Sequence, residues 1–259
     1  MPRPRAPAWI GIGAQRSGTT WFTQLMLRHP AICLAPRPRS FILRKELHFF
    51  DGPPFTGSDD RLIEEYHQMF AGAEASHPGE FTPGYLRSVS AAELVGRAAG
   101  PETVLVCLLR DPVERFYSAF RWQRRSIAES DENRTERGRR GLSRHTERDA
   151  LWGGMYATQL RAWRTVFARD RFVVLSYEAV VEDPASALGR VWSAMGLEPV
   201  EVGPPLPRSE TSSPIDLSVD DLAQKPDFRS LLQAIYHQEV LDVEEEWGID
   251  SNLWTATWQ

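Results

Sequence analysis

The sequence predicts an α/β fold in which a parallel β-sheet is flanked by helices. Three observations carry this. Short apolar runs recur at Ala8 to Gly13, Thr103 to Leu109 and Arg171 to Leu175, each of a length suited to a buried strand. Each run feeds a stretch of helical periodicity, and strands alternating with helices build parallel sheets. The chain has 259 residues, 42% hydrophobic and 25% charged, which suits an ordinary globular protein with a full core. One domain spanning residues 1–259 is expected.

Thr19 to Arg28 reads as the first helix, with Trp21, Phe22, Leu25 and Met26 on one side and His29-Pro30 ending it. A looser stretch follows, punctuated by Pro36, Pro38, Pro53 and Pro54, and inside it "KELHFFD" (Lys45 to Asp51) looks extended. Asp59 to Ala71 and Ser90 to Ala99 read as helices. After the strand ending at Leu109, Asp111 can cap a helix whose first position suits Pro112. Arg121 to Asp149 holds nine arginines and six acidic residues with few apolar ones, so it has no face to bury and reads as a solvated, mobile segment or a lid. Helical spacing resumes over Asp149 to Arg169, and again over Ala185 to Met195 and Phe228 to Trp247.

The net charge of -5 gives no overall attraction to nucleic acid or an anionic membrane. No apolar run approaches a membrane span, and the first residues lack the core of a signal peptide, so a cytoplasmic protein is expected. Two cysteines, Cys33 and Cys107, do not make a disulfide framework or a zinc site, and both are expected to be buried thiols. The histidines lack ligand spacing, so no metal is expected. Only Lys45 and Lys225 are lysines, against 28 arginines, a bias compatible with a high-GC bacterial genome.

"GIGAQRSGTTW" (Gly11 to Trp21) is a glycine turn between a strand and a helix N-terminus. Such a turn aims several N–H groups and the helix dipole at one point, which suits a phosphate or sulfate. A nucleotide-triphosphate loop would carry lysine directly after Gly18. Here that residue is Thr19, and the cation sits inside the loop at Arg16. A second anion site is expected at "LLRDPVERFYSAF", where Arg110 ends a strand and Ser118 lies two turns beyond Asp111 on the same helix face.

Together these segments resemble the sulfotransferases that use 3′-phosphoadenosine 5′-phosphosulfate, a family of P-loop NTPase-like fold. "QRSGTTW" is similar to their 5′-phosphosulfate loop, which usually has lysine at the place of Arg16, and the Arg110 to Ser118 segment to their 3′-phosphate signature. "KELHFFD" and "GEFTPGYL" (Gly79 to Leu86) resemble the K-E-P-H-F-F-D and E-K-[ST]-P-x-Y stretches of heparan-type and related bacterial carbohydrate sulfotransferases. The resemblance covers most of the chain. It implies that Gln15, Arg16, Ser17, Gly18, Thr19, Thr20 and Trp21, with Arg110 and Ser118, hold the donor, and that 3′-phosphoadenosine 5′-phosphate is the second product. Tyr156 by its position, and Arg208 in "PRSETSS", complete the expected donor contacts.

An acceptor hydroxyl must lose a proton, and the resemblance implies Glu46 as the base, with His48 as the alternative. Beside Lys45, Glu46 also fits a surface ion pair, and His48 before "FF" also fits a core histidine. Arg16 is expected to stabilise charge rather than donate a proton, because a guanidinium stays charged at ordinary pH. Phe81 stands where the family motif carries lysine, which favours a neutral small-molecule, phenolic or glycosylated acceptor over a polyanionic one. Phe49, Phe50, Phe81, Tyr85 and Trp122 are candidates to line its pocket. Two rival readings stay open: a P-loop nucleotide kinase, and a non-catalytic nucleotide-binding module.

Overall fold

The structure is a computed structural model that describes residues 5–36, 45–51, 59–129, 147–203 and 226–254. Its strands are β1 (Trp9–Gly13), β2 (Ile32–Leu34), β3 (His77–Phe81), β4 (Val104–Leu109) and β5 (Phe172–Ser176). They form one sheet in the order β2-β3-β1-β4-β5, and every neighbouring pair is parallel. The helices are α1 (Thr19–Met26), α2 (Asp59–Met69), α3 (Val89–Ala98), α4 (Pro112–Glu129), α5 (Tyr156–Arg164), α6 (Tyr177–Glu182), α7 (Pro184–Ala194) and α8 (Pro226–Trp247). The expected parallel sheet flanked by helices is what forms.

The chain divides into two compact units, Met1–Leu109 with Gln159–Arg208, and Arg110–Thr158 with Ser209–Gln259. The first holds the sheet. Every residue of β1, β4 and β5 is buried, which is why "VLVCLL" is continuously apolar rather than alternating. Trp9, Phe22, Leu25, Phe81, Val106, Leu188 and Trp192 form the centre of its core, each large side chain contributing about 1.5–3 kcal/mol on burial. Cys107 is buried as expected, with its thiol held protonated by desolvation. Cys33, on the short edge strand β2, is only half-buried.

Strands β2 and β3 were not expected. Pro78 and Gly79 inside β3 disguise it, and Gly79 is needed because the Trp9 carbonyl and indole occupy the place of a β-carbon. The segment 45–51 is not a strand either: its backbone turns at His48, where φ is 48°. A cavity of about 500 Å³ opens at the amino ends of the strands, lined by Arg5, His77, Thr103 and Met195 among others. It includes no residue of the Gly13 to Gly18 turn or of 45–51.

In the second unit, α4 and α8 pair through Phe116 and Tyr117 against Phe228 and an Arg229–Glu114 ion pair. The expected continuous helix from Asp149 to Arg169 is instead broken, with a helical turn at 147–152 and α5 starting at Tyr156. Gly153 and Gly154 sit at the break. A β-carbon on Gly153 would meet the buried Arg115 guanidinium at 2.7 Å, and one on Gly154 the Tyr236 ring at 2.7 Å. Of the charged segment 121–149, α4 continues through Glu129 and the chain is helical again from residue 147. Residues 130–146 lie outside the described residues, as does Arg208 with its neighbours.

Candidate active site

The turn after β1 is built by backbone conformation. Arg16 and Gly18 both take positive φ, 71° and 80°, so the chain reverses tightly before α1 begins at Thr19. Glycine is required at 18 on two counts. Its φ is left-handed, and a β-carbon would lie 2.5 Å from the Tyr177 ring, which packs edge-on against Trp21. Gly18→Val is therefore expected to lower stability by about 2–3 kcal/mol, measured by urea unfolding.

Thr19, Ser17 and Trp21 of this loop are buried, Gln15, Arg16 and Gly18 are half-buried, and Thr20 is exposed. The Ser17 hydroxyl is fully buried and has no hydrogen-bond partner among the described residues. A buried hydroxyl left unmatched costs free energy, and beside a helix N-terminus it is matched by an anion. The loop thus fits a phosphate or sulfate group by its own chemistry.

Lys45 ties this loop to the candidate base. Its side chain is buried, with Nζ 2.5 Å from Glu46 Oε1, 3.5 Å from Thr19 Oγ1 and 3.4 Å from the Phe81 carbonyl oxygen. The ammonium also lies over the Phe81 ring, 5.6 Å from its centroid. Burial pulls the Lys45 pKa below its usual value, against the attraction of Glu46.

The second carboxylate oxygen, Glu46 Oε2, is 3.0 Å from His48 Nε2, and His48 Nδ1 is 3.0 Å from Asp51 Oδ2. Glu46 and His48 do come together, but through the turn at His48 rather than along an extended face. Both ring nitrogens face carboxylate oxygens, so both must carry hydrogen, which only the imidazolium can do. The hydrogen bonds from His48 to Asp51 and Glu46 accordingly push its pKa up to about 10. Burial pushes Glu46 upward, but the bonds and charges of His48 and Lys45 outweigh it and hold the carboxyl below its usual range. The cluster therefore has an ionised carboxylate and a protonated imidazole at neutral pH.

A histidine with a raised folded pKa stabilises the fold fully below its unfolded value of 6.5, and the gain disappears as pH rises toward about 10. With half its side chain exposed, solvent screening limits that gain to about 1 kcal/mol. Urea melts should show the wild-type advantage over His48→Gln at pH 6 shrinking as pH approaches 10.

In the second unit, Asp111 Oδ1 accepts from the Val113 and Glu114 amides at 2.8 and 3.2 Å, capping α4. Arg110 directly precedes this cap, and Ser118 is half-buried on α4. Tyr156 is buried, and its hydroxyl donates to the Arg110 carbonyl oxygen at 2.9 Å, so it fixes the Arg110 backbone. Phe49, Phe50, Phe81 and Tyr85 are all buried, and Phe49, Phe50 and Tyr85 form a cluster with Tyr66. They pack the core, whereas Trp122 is 44% exposed. Sequence reasoning missed Asp51, Glu80 and Thr82, and gave Lys45 only as an ion-pair partner. Their signal was their place inside the two motifs at 45–51 and 79–86.

A sequence profile described as the sulfotransferase domain matches residues 7–203. The chain belongs to the sulfotransferase family. Among curated members it is 28% identical over 203 residues to human heparan sulfate glucosamine 3-O-sulfotransferase 6, covering 76% of this chain and 54% of that protein. It is 27% identical over 208 residues to the mouse bifunctional heparan sulfate N-deacetylase/N-sulfotransferase 4, covering 74% of this chain and 22% of that one. The chain thus spans about half or less of these relatives. A sulfotransferase from Alicyclobacillus acidocaldarius shares the fold, with a TM-score of 0.68 at 23% identity over 97% of this chain and 100% of the other. Among the described residues no cluster could hold a metal ion, and no helix is long and apolar enough to cross a membrane.

Proposed function

We propose that this sulfotransferase-family chain moves a sulfuryl group from 3′-phosphoadenosine 5′-phosphosulfate to an oxygen of a small-molecule or carbohydrate-containing acceptor. The observation that carries the reading is the Lys45 bridge. One buried ammonium touches both Thr19, at the start of α1, and Glu46, so an anion loop with an orphaned serine stands beside an ionised carboxylate.

The donor, when bound, supplies an activated sulfuryl group. The amides of Arg16, Gly18, Thr19 and Thr20, the Ser17 hydroxyl and the Arg16 guanidinium would hold its 5′ end, and Arg110 and Ser118 its 3′-phosphate. These donors would meet charge growing on the departing phosphate. Glu46 would take the acceptor's proton, because His48 is already protonated and cannot. His48, held by Asp51, would orient the carboxylate. Phe81 stands where the family motif carries lysine, which favours a neutral acceptor; the heparan sulfate named for the relatives keeps a carbohydrate acceptor open to test. A cytoplasmic location and a role in bacterial secondary metabolism are part of the same proposal.

Steady-state assays with the labelled donor against panels of phenols, alcohols and glycosides test the reading. Transfer to any of them supports it, and magnesium-dependent turnover of ATP alone would favour the kinase reading.

A further inference from the structure

The segment that carries Glu46 and His48 belongs to no strand, yet three successive amides in it are held by side chains. Leu47 N–H donates to Thr82 Oγ1 at 3.0 Å and to Glu80 Oε2 at 3.3 Å, and His48 N–H to Thr82 Oγ1 at 3.3 Å. Phe49 N–H donates to the Tyr85 hydroxyl oxygen at 3.0 Å. The receiving side chains are themselves joined at one group. Thr82 Oγ1 donates to Glu80 Oε2 at 2.5 Å, and the hydroxyls of Tyr85 and Tyr66 donate to Glu80 Oε1 at 2.9 and 3.0 Å.

The polarity of this network has one consistent solution. A hydroxyl has a single hydrogen and two lone pairs. By taking the hydrogens of Thr82 and Tyr85, Glu80 turns their lone pairs toward the amides of 47–49. Glu80 is completely buried, and desolvation raises its pKa to about 7 against the pull of its four donors. A buried carboxylate is costly to retain, and an amide in its place would set NH₂ hydrogens against donors. The left-handed backbone at His48 persists only where its surroundings fix it, and the Thr82 bond to its amide is one such constraint.

We infer that Glu80, acting through Thr82 and Tyr85, is the positioning residue that aligns the Glu46–His48 pair. This rests on the proposed reading of Glu46 as the base. The carboxylate and imidazole stay in register because three successive amides of their segment are pinned to oxygens that Glu80 orients.

The test uses the full chain with ¹³C-labelled histidine rings, His48 being assigned by the loss of its signal in His48→Gln. Wild-type His48 should remain imidazolium across the range in which an ordinary histidine titrates. Thr82→Val and Glu80→Gln should release it, so that its signal titrates near the ordinary value, while Thr82→Ser restores wild-type behaviour. In the same variants kcat should fall by about 10²-fold, the cost of a misplaced catalytic group, with KM for the donor and binding of 3′-phosphoadenosine 5′-phosphate unchanged. Val95→Ala, a core truncation in α3 that makes no hydrogen bond to 45–51, controls for lost stability.

The inference is overturned if His48 stays imidazolium in both Thr82→Val and Glu80→Gln, or if Val95→Ala reproduces their losses at equal stability. Glu46→Gln separates the two claims. Wild-type turnover in that variant defeats the base assignment, whereas the His48 signal decides the positioning claim on its own.

Discussion

Glu46→Gln is expected to lower kcat by about 10²- to 10⁴-fold, the usual worth of a positioned general base, with binding of 3′-phosphoadenosine 5′-phosphate unchanged. The amide keeps the shape of the carboxylate, so the substitution removes the proton acceptor and little else. Because His48 and Lys45 hold the Glu46 carboxyl below its ordinary value of 4.5, the loss of rate that follows protonation of Glu46 itself should come beneath that value, separate from any loss near pH 7 where Glu80 takes up a proton. If a rate limb near neutrality persisted in Glu80→Gln, a neutral histidine would be the better candidate. Retained turnover in Glu46→Gln, measured against an accepted hydroxyl substrate, would remove Glu46 from the mechanism.

Arg16→Ala is the second large effect, with an expected loss of about 10²- to 10³-fold in kcat, as for removal of one preorganised donor to a developing anion. Arg16 sits in the turn at φ 71° between β1 and α1. A guanidinium stabilises charge without giving up its proton, so Arg16→Lys should recover most of the rate. A lysine variant faster than wild type, with a new basic limb in its pH profile, would show that proton donation at this position matters.

Much of this was legible in the sequence where local signals and tertiary demands agree. The strand–turn–helix at Trp9 to Met26 and the Asp111 cap of α4 are encoded within a few residues each, by glycine, apolar period and capping side chain. The edge of the sheet was not legible, because a three-residue strand and one containing Pro78 and Gly79 carry no local strand signal. Strand β3 pairs with β1, where Gly79 leaves room for the Trp9 indole, and β2 pairs in turn with β3. The break between residues 152 and 156 was hidden for a similar reason, since Gly153 and Gly154 answer to Arg115 and Tyr236, which are distant in sequence.

The site divides the same way. Loop residues were proposed from their own spacing, and Glu46 and His48, as alternative bases, from the motif around them. Which of the two can accept a proton depends on Asp51 and Lys45 closing on them in space. Nothing in the spacing of "KELHFFD" says that His48 turns left-handed or that its amide is held by Thr82, 34 positions away.

The proposed donor carries a phosphate at each end of its ribose. Calorimetric titration with 3′-phosphoadenosine 5′-phosphate, run beside ADP and beside ATP with magnesium, tests that assignment most directly. The 3′-phosphate should tighten binding over ADP, by about 10-fold or more for a charge-assisted contact, and Arg110→Ala should abolish the difference. Equal affinity for ADP, or tight binding of ATP with magnesium alone, would contradict it.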